Sequence, residues 1–328
     1  MKRFINILLV ADGESWQDTA LRRAITLAEH NQARLTIIRV LNHPRSLSLL
    51  DKSTYERLKN AFKDDWQAQL KRIVADAPAG VNIKSKLLFG SVFSEIIQEV
   101  LRGGYDLVMK CAEETHSFKE RLFGSTDMHL LRKCPCPVWI MKANEKEKYQ
   151  RIIAAVDVEQ EINDEKISVL NQQILEMASS LALSEFSEFH IVHAWTAWGE
   201  SLLNTPRFSF SDDGEMAAWV EQQRVADETK MNDLIQTLTE TLSQDTMDYI
   251  KPQVHIIKGE AHQVIPDLAQ EMKADLVVMG TVARTGIPGL IMGNTAETIL
   301  NNIGCSVLAV KPPGFVTPVK LEKLPVMV

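Results

Sequence analysis

The strongest constraint in this sequence is an internal repeat. The run Ile7-Leu8-Leu9-Val10-Ala11-Asp12 returns as Ile152-Ile153-Ala154-Ala155-Val156-Asp157, 145 residues later. Leu35-Thr36-Ile37-Ile38-Arg39-Val40 returns as Phe189-His190-Ile191-Val192-His193-Ala194 at an offset of 154. From there the offset settles at 169, matching Gly90 to Gly259, Asp106-Leu107-Val108 to Asp275-Leu276-Val277 and Gly124 to Gly293. Thr126 and Thr295, Cys136 and Cys305, Val138 and Val307, and Lys142 and Lys311 share that offset. An offset that grows only by insertion marks a domain duplicated in tandem, and 328 residues is room for two domains with their own cores.

Within the first copy, short β-rich runs fall at 5–11, 34–40, 83–88, 106–110 and 137–141. They read as nearly all apolar, as expected of strands buried on both faces of a parallel sheet. Between them, Ala20, Ala24, Leu27 and Ala28 mark one helix face, and Val92, Ile96 and Val100 mark another. Strands alternating with helices predict an α/β fold: two doubly wound five-stranded parallel sheets, one per copy. The predicted organisation is a first domain over 1–143, a polar linker at Asn144-Glu145-Lys146-Glu147-Lys148, a second domain over 149–312 and an extended tail over 313–328. The proline-bearing stretch from Pro312 to Pro325 accounts for the tail.

Charge and cysteine usage narrow the function classes. With 43 acidic and 36 basic residues the net charge is −7, which argues against a surface built to neutralise nucleic-acid phosphates. The four cysteines, Cys111, Cys134, Cys136 and Cys305, are too few and scattered for a disulfide scaffold and suit a reducing cytoplasm. The apolar start of the chain is cut at Asp12 and reads as a buried strand in place of a secretion signal. No apolar run is long enough to span a membrane.

In open α/β sheets ligands meet the carboxyl ends of the strands. There stand Asp12 and Asp157, each closing a first strand, and Gly280, which opens the loop Gly280-Thr281-Val282-Ala283-Arg284-Thr285-Gly286. Gly293-Asn294-Thr295-Ala296-Glu297 then opens the last helix, where free amides and the helix dipole favour phosphate. The same residues also read as a plain helix cap.

A strand-terminal aspartate, a glycine-spaced loop and a glycine-hydroxyl pair at a helix start resemble the universal stress protein family. Nucleotide-binding members carry Gly, two residues, Gly, nine residues, then Gly-Ser/Thr. The resemblance covers nearly the whole chain. It implies a Rossmann-like sheet in each copy, pairing of the copies through their last strands as a pseudo-dimer, and a role in bacterial stress survival such as DNA-damage resistance. It also implies an ATP or AMP site in some members.

The two copies depart unequally from the nucleotide pattern. The second reads Gly280, Ala283, Gly293 and Asn294, with Arg284 and Thr295 beside them and Asp157 at the base. The first reads Cys111, Glu114, Gly124 and Ser125 at the same spacing, with Asp12 at the base. Glu114 would set a carboxylate against phosphate, at a cost of about 4 kcal/mol for a 4 Å charge pair. The first site is therefore expected to be degenerate and the second near-complete.

The growth in offset from 154 to 169 places an insertion in the second copy that holds Trp195, Trp198, Phe208, Phe210 and Trp219. These aromatics could line an apolar ligand or protein-partner surface, or form the core of an extra helix over about 215–243. Cys134-Pro135-Cys136-Pro137 lacks the further ligands of a zinc site. His190 and His193 lie three apart in a strand, on opposite faces. No P-loop, G-x-G-x-x-G or G-x-S-x-G motif occurs, and no nucleophile stands beside a base. The expectation is a non-catalytic module with no metal, in which unpaired last strands pair the copies or a second chain as a homodimer.

Overall fold

The computed structural model describes residues 4–12, 19–42, 51–78, 80–112, 122–143, 146–158, 165–197, 213–281 and 292–321. The chain divides into two compact units, one built on Arg3–Glu147 with Ser306–Val328, the other on Lys148–Arg284 with Met292–Cys305.

The unit that carries the first copy holds β1 (Asn6–Val10), α1 (Leu21–Asn31), β2 (Arg34–Leu41), α2 (Lys52–Asp76), β3 (Asn82–Phe89), α3 (Val92–Gly103), β4 (Leu107–Cys111), α4 (Ser125–Lys133) and β5 (Val138–Met141). The strands lie in the order β3-β2-β1-β4-β5 and are parallel. Each falls within about a residue of its expected span. β1, β4 and β5 are buried along their whole length, as apolar runs require. β3 differs. Its Lys84, Ser85 and Lys86 interrupt the apolar run, and its burial alternates, because it pairs with β2 alone and lies at an edge.

The same unit takes in a strand from the end of the chain, β10 (Ser306–Val310), which runs antiparallel to β5 with Val307 opposite Ile140 and Ala309 opposite Val138. The Ser306 hydroxyl accepts the Lys142 backbone N–H at 2.9 Å. Beyond Val310 the described tail contains no helix or strand, in keeping with its prolines.

The second unit holds β6 (Arg151–Ala155), α5 (Glu165–Glu185), β7 (Glu188–Trp195), α6 (Asp213–Leu242), α7 (Gln244–Ile250), β8 (Gln253–Lys258), α8 (Ala261–Glu271), β9 (Leu276–Gly280) and α9 (Asn294–Asn302). Its strands run parallel in the order β9-β6-β7-β8. The extra helix expected in the inserted stretch is α6.

Several repeated residues owe their recurrence to architecture. Asp106 accepts the backbone N–H groups of Ile5 and Asn6 at 2.7 and 3.1 Å, and Asp275 does the same for Gln150 and Arg151 at 2.6 and 3.0 Å. Each aspartate thus satisfies the amides leading into the first strand of its copy. Gly90 and Gly259 follow the third strands with φ of +151° and +147°, where an added Cβ would approach Glu95 or Val264 within 3 Å. Only glycine takes that backbone without strain.

Candidate functional site

In the second copy the carboxyl ends of β6 and β9 lie side by side, since Ala155 is in register with Met279. Asp157 and Gly280 therefore flank one another just past the paired residues. Asn171 of α5 clamps the chain at Asp157: its Oδ1 accepts the Asp157 N–H at 3.1 Å and its Nδ2 donates to the Asp157 carbonyl at 2.7 Å. Asn171 is itself buried, so the polar end of β6 is held by a matched pair of bonds with little competition from water. Leu170 of the same helix covers Gly280, and a Cβ there would come within 2.9 Å of the Leu170 side chain. The glycine is thus required by close packing on α5 as much as by any ligand.

Gly293 stands immediately before α9, and its N–H reaches the carbonyl of buried Thr281 at 3.3 Å. A glycine cap has no side-chain acceptor, so the Thr295 and Ala296 N–H groups have no capping side chain at Gly293 to donate to. The helix start combines its dipole with amides that a bound anion could take. Ala283 and Arg284 of the same expected site lie outside the described residues.

The first copy treats the equivalent helix start differently. Lys110, inside β4, is 1% exposed, and its Nζ lies 2.9 Å from the Asp127 carboxylate, which is fully buried. The ammonium also donates to the Cys111 carbonyl at 2.9 Å and stands 3.6 Å from the half-exposed Asp12. The other Asp127 oxygen accepts the Gly124 N–H at 3.0 Å. An internal carboxylate thus occupies the amide that an incoming phosphate would seek, and an internal ammonium neutralises it. Cys111, Gly124, Ser125 and Asp12 are brought together around this pair, while Glu114 lies outside the described residues. At the 169 offset the second copy has Met279 for Lys110 and Ala296 for Asp127, so it lacks this buried pair.

Sequence reasoning passed over Lys110 and Asp127. The available signal was a lysine in the middle of Leu107-Val108-Met109-Lys110-Cys111, where a buried strand has no place for an unpaired charge.

A second unremarked feature borders the second copy's site. His193 near the end of β7 accepts the Val158 N–H at its Nδ1, at 3.5 Å, and its Nε2 lies 3.7 Å from Asp227 of α6. Both side chains are buried. The inserted helix is thereby tied by a polar contact to the strand beside Asp157. His190, on the same strand, faces different neighbours, with its Nδ1 3.2 Å from His255 Nε2. Burial lowers the pKa of both of these rings, and for His190 the neighbouring His255 adds to the effect. Among the described residues no cluster of three or more His, Cys, Asp and Glu side chains is arranged to hold a metal ion.

Of the aromatic group, Trp195 is 4% exposed at the end of β7, with the Lys258 ammonium 5.9 Å from its ring centre. Trp219 on α6 is 37% exposed. Trp198, Phe208 and Phe210 lie outside the described residues.

The chain matches the model of the universal stress protein family twice, over residues 4–142 and 148–311. It belongs to the universal stress protein family. It is 29% identical over 340 residues to universal stress protein E of Escherichia coli strain K12, a match covering 98% of each chain. It is 28% identical to the universal stress protein E homolog of Haemophilus influenzae, covering 94% of this chain and 98% of that one. Among solved structures, a functionally unknown protein of Pseudomonas aeruginosa PAO1 aligns with a TM-score of 0.66 at 26% identity, over 94% of this chain and 93% of that one. A universal stress protein of Archaeoglobus fulgidus shares the fold, with a TM-score of 0.61 at 20% identity over 93% of this chain and 98% of that one. Two family domains in tandem agree with the duplication read from the repeat.

Proposed function

We propose that this tandem universal stress protein is a non-catalytic cytoplasmic stress-response module whose second copy takes an adenine nucleotide, ATP or AMP. The observation that carries the reading is the difference between the two helix starts. In the first copy the Gly124 amide is taken by Asp127 and the charge is closed off by Lys110. In the second copy the Gly293 N–H meets a neutral backbone carbonyl, that of Thr281 at 3.3 Å, where the first copy has a buried carboxylate; apolar residues replace the ion pair, and Asp157 stands fixed beside Gly280 by Asn171. Asp157 would meet the ribose or base, and Gly280, Gly293, Asn294 and Thr295, with Arg284, would hold the phosphates. The near-complete spacing of these residues in the family's pattern supports the same assignment.

Titration calorimetry of the full chain with ATP and with AMP tests this. Heat saturating at millimolar ligand or below is expected, and Gly293→Glu should abolish it by setting a carboxylate at the helix start. No heat from either nucleotide at millimolar concentration overturns the reading.

The copies are further proposed to associate through their last strands. The antiparallel register of Val138–Met141 with Ser306–Val310 supports this, since each strand would otherwise leave an open edge. The alternative occupant of the second copy, an apolar metabolite, lipid or protein partner at the Trp195–Trp219 stretch, draws support only from the part-exposed Trp219, because Trp195 is packed into its own unit.

A further inference from the structure

Three consecutive amides carry the chain past the end of β6, and each has a different acceptor. The Val156 N–H donates to the Val192 carbonyl at 3.0 Å, the Asp157 N–H to Asn171 Oδ1 at 3.1 Å, and the Val158 N–H to His193 Nδ1 at 3.5 Å. Val156 and Val158 are buried on either side of Asp157, so the aspartate sits on a short segment held at three points. The first two anchors are a backbone carbonyl and an amide side chain, neither of which changes its hydrogen-bonding role. The third is an imidazole, whose two nitrogens exchange roles with its tautomer.

A nitrogen that accepts from an amide carries no proton, so Nδ1 is bare and the proton of the neutral ring stands on Nε2. Nε2 is buried and has no hydrogen-bond partner among the described residues. The charged group it faces is the Asp227 carboxylate, 3.7 Å away on α6. A ring N–H is drawn to that carboxylate and a bare nitrogen is repelled by it, so Asp227 favours the tautomer that leaves Nδ1 free for Val158. Part-exposed Lys230 lies 3.5 Å from the same carboxylate and tempers the effect without ending it.

Packing alone does not account for these two side chains. Met231, Leu234 and Leu238 form the buried stripe of α6, and Asp227 stands one turn before them on the same face, 6% exposed, where the periodicity calls for another apolar residue. His193 is equally buried in β7, in register with Ile256 of β8. The first copy offers a comparison. At the 154 offset Arg39 stands where His193 does, and its guanidinium lies 5.8 Å from the ring centre of Trp66 on α2. Arginine has no acceptor, so the first copy cannot hold the corresponding amide in this way. The acceptor is present in the copy without a buried carboxylate at its last helix and absent from the copy that has one.

We propose that His193 is a positioning residue of the second copy's ligand site, a relay through which α6 sets how firmly Asp157 is held. Asp227 fixes the ring's tautomer, and bare Nδ1 anchors the Val158 amide. In naming a nucleotide as the ligand this rests on the nucleotide reading above; the relay itself does not. A shift of α6 towards β7 by under about 1 Å brings Nε2 and the carboxylate within hydrogen-bonding distance and strengthens the anchor. A shift away releases the ring to its other tautomer, which turns a proton towards the Val158 N–H and breaks the anchor. Coupling of this kind is reciprocal, so a ligand that engages Asp157 steadies α6 in turn.

The test uses the full chain. Nitrogen-15 spectra of the histidine rings, with His193 assigned through its own backbone, give the tautomer. The parent is expected to carry the ring proton on Nε2, and Asp227→Leu to move it towards Nδ1. Hydrogen exchange at the Val158 amide reads the anchor with no ligand present. Asparagine sets its Oδ1 close to the place of Nδ1, so His193→Asn should keep exchange within about twofold of the parent. His193→Leu should speed it about fivefold, as loss of one neutral hydrogen bond implies. Titration calorimetry with ATP and AMP should follow the same order, with affinity nearly kept in His193→Asn and about fivefold weaker in His193→Leu. A proton on Nδ1 in the parent overturns the proposal, as does exchange in His193→Leu equal to the parent's, or in His193→Asn equal to that of His193→Leu. Nucleotide affinity unchanged in His193→Leu overturns the positioning role. A parent that binds neither nucleotide overturns the nucleotide reading instead, and the spectra and exchange rates still decide the relay. The parent's tautomer needs no variant, so a variant that fails to fold leaves the decision intact.

Discussion

Replacing Asp127 by alanine removes one partner of a fully buried ion pair and leaves Lys110 facing the half-exposed Asp12 carboxylate at 3.6 Å in place of a buried one at 2.9 Å. At 2.9 Å and an effective dielectric near 20, the attraction between the two is about 6 kcal/mol. Most of that is offset by the several kcal/mol each ion costs to bury, so the intact pair contributes little net stability. Breaking it is different, because the ammonium keeps its burial cost and exchanges a close, buried counter-charge for the weaker, solvent-screened pull of Asp12 at 3.6 Å; the expected loss is at the low end of about 3–5 kcal/mol. The Gly124 N–H also loses its acceptor, adding up to about 1 kcal/mol. A loss near 4 kcal/mol raises the unfolding constant roughly a thousandfold. The double substitution Lys110→Met with Asp127→Ala copies the second copy's own Met279 and Ala296, and should fall within about 1 kcal/mol of the parent. Urea unfolding followed by far-ultraviolet circular dichroism, with all three single and double variants in one cycle, reads both numbers. A loss below about 1 kcal/mol in Asp127→Ala, or a double variant as unstable as the single one, refutes the view that the pair is a closed internal substitute for phosphate.

Three further outcomes follow from the structure. His190 and His255 both have depressed pKa values, so the stability they contribute is complete above the unfolded value of about 6.5 and is lost as pH falls towards the folded values; thermal melts from pH 7.5 to 5.0 should decline less steeply in His255→Gln than in the parent. Gly259→Ala should destabilise by about 1–3 kcal/mol, because it strains a φ of +147° and presses on Val264, and chemical denaturation will show it. Asn171→Leu removes both bonds that clamp Asp157 and should weaken any nucleotide binding about tenfold in calorimetry, while costing about 1–3 kcal/mol of stability.

The duplication, the strand positions and the inserted helix were legible because each is written in contiguous residues. Largely apolar stretches locate β1, β4 and β9, and repeated Asp106 and Asp275 could be aligned before their roles as clamps were known. What escaped was the chemistry made by residues distant in sequence. Lys110 and Asp127 meet only because β4 ends beside the start of α4, and the expected asymmetry of the sites then rests on that pair as well as on loop glycines. Edge position was equally hidden: an apolar reading of β3 ignored Lys84 and Lys86, whose place depends on which strands neighbour it. His193 and Asp227 stand 34 positions apart, and nothing in either local pattern announces their approach.

The placement of β10 bears on how this chain can be taken apart. A gene fragment ending in the polar linker would encode the whole first repeat by family boundaries, yet its product would lack β10. The backbone of β5 would lose the antiparallel neighbour opposite Val138 and Ile140, and the Lys142 amide would lose the Ser306 hydroxyl. The Leu131 carbonyl would likewise lose the Lys311 amine that donates to it. Fragments cut at the repeat boundary are therefore poor reporters of what each half does, and a fission of the gene at that point would have to supply the missing strand in trans.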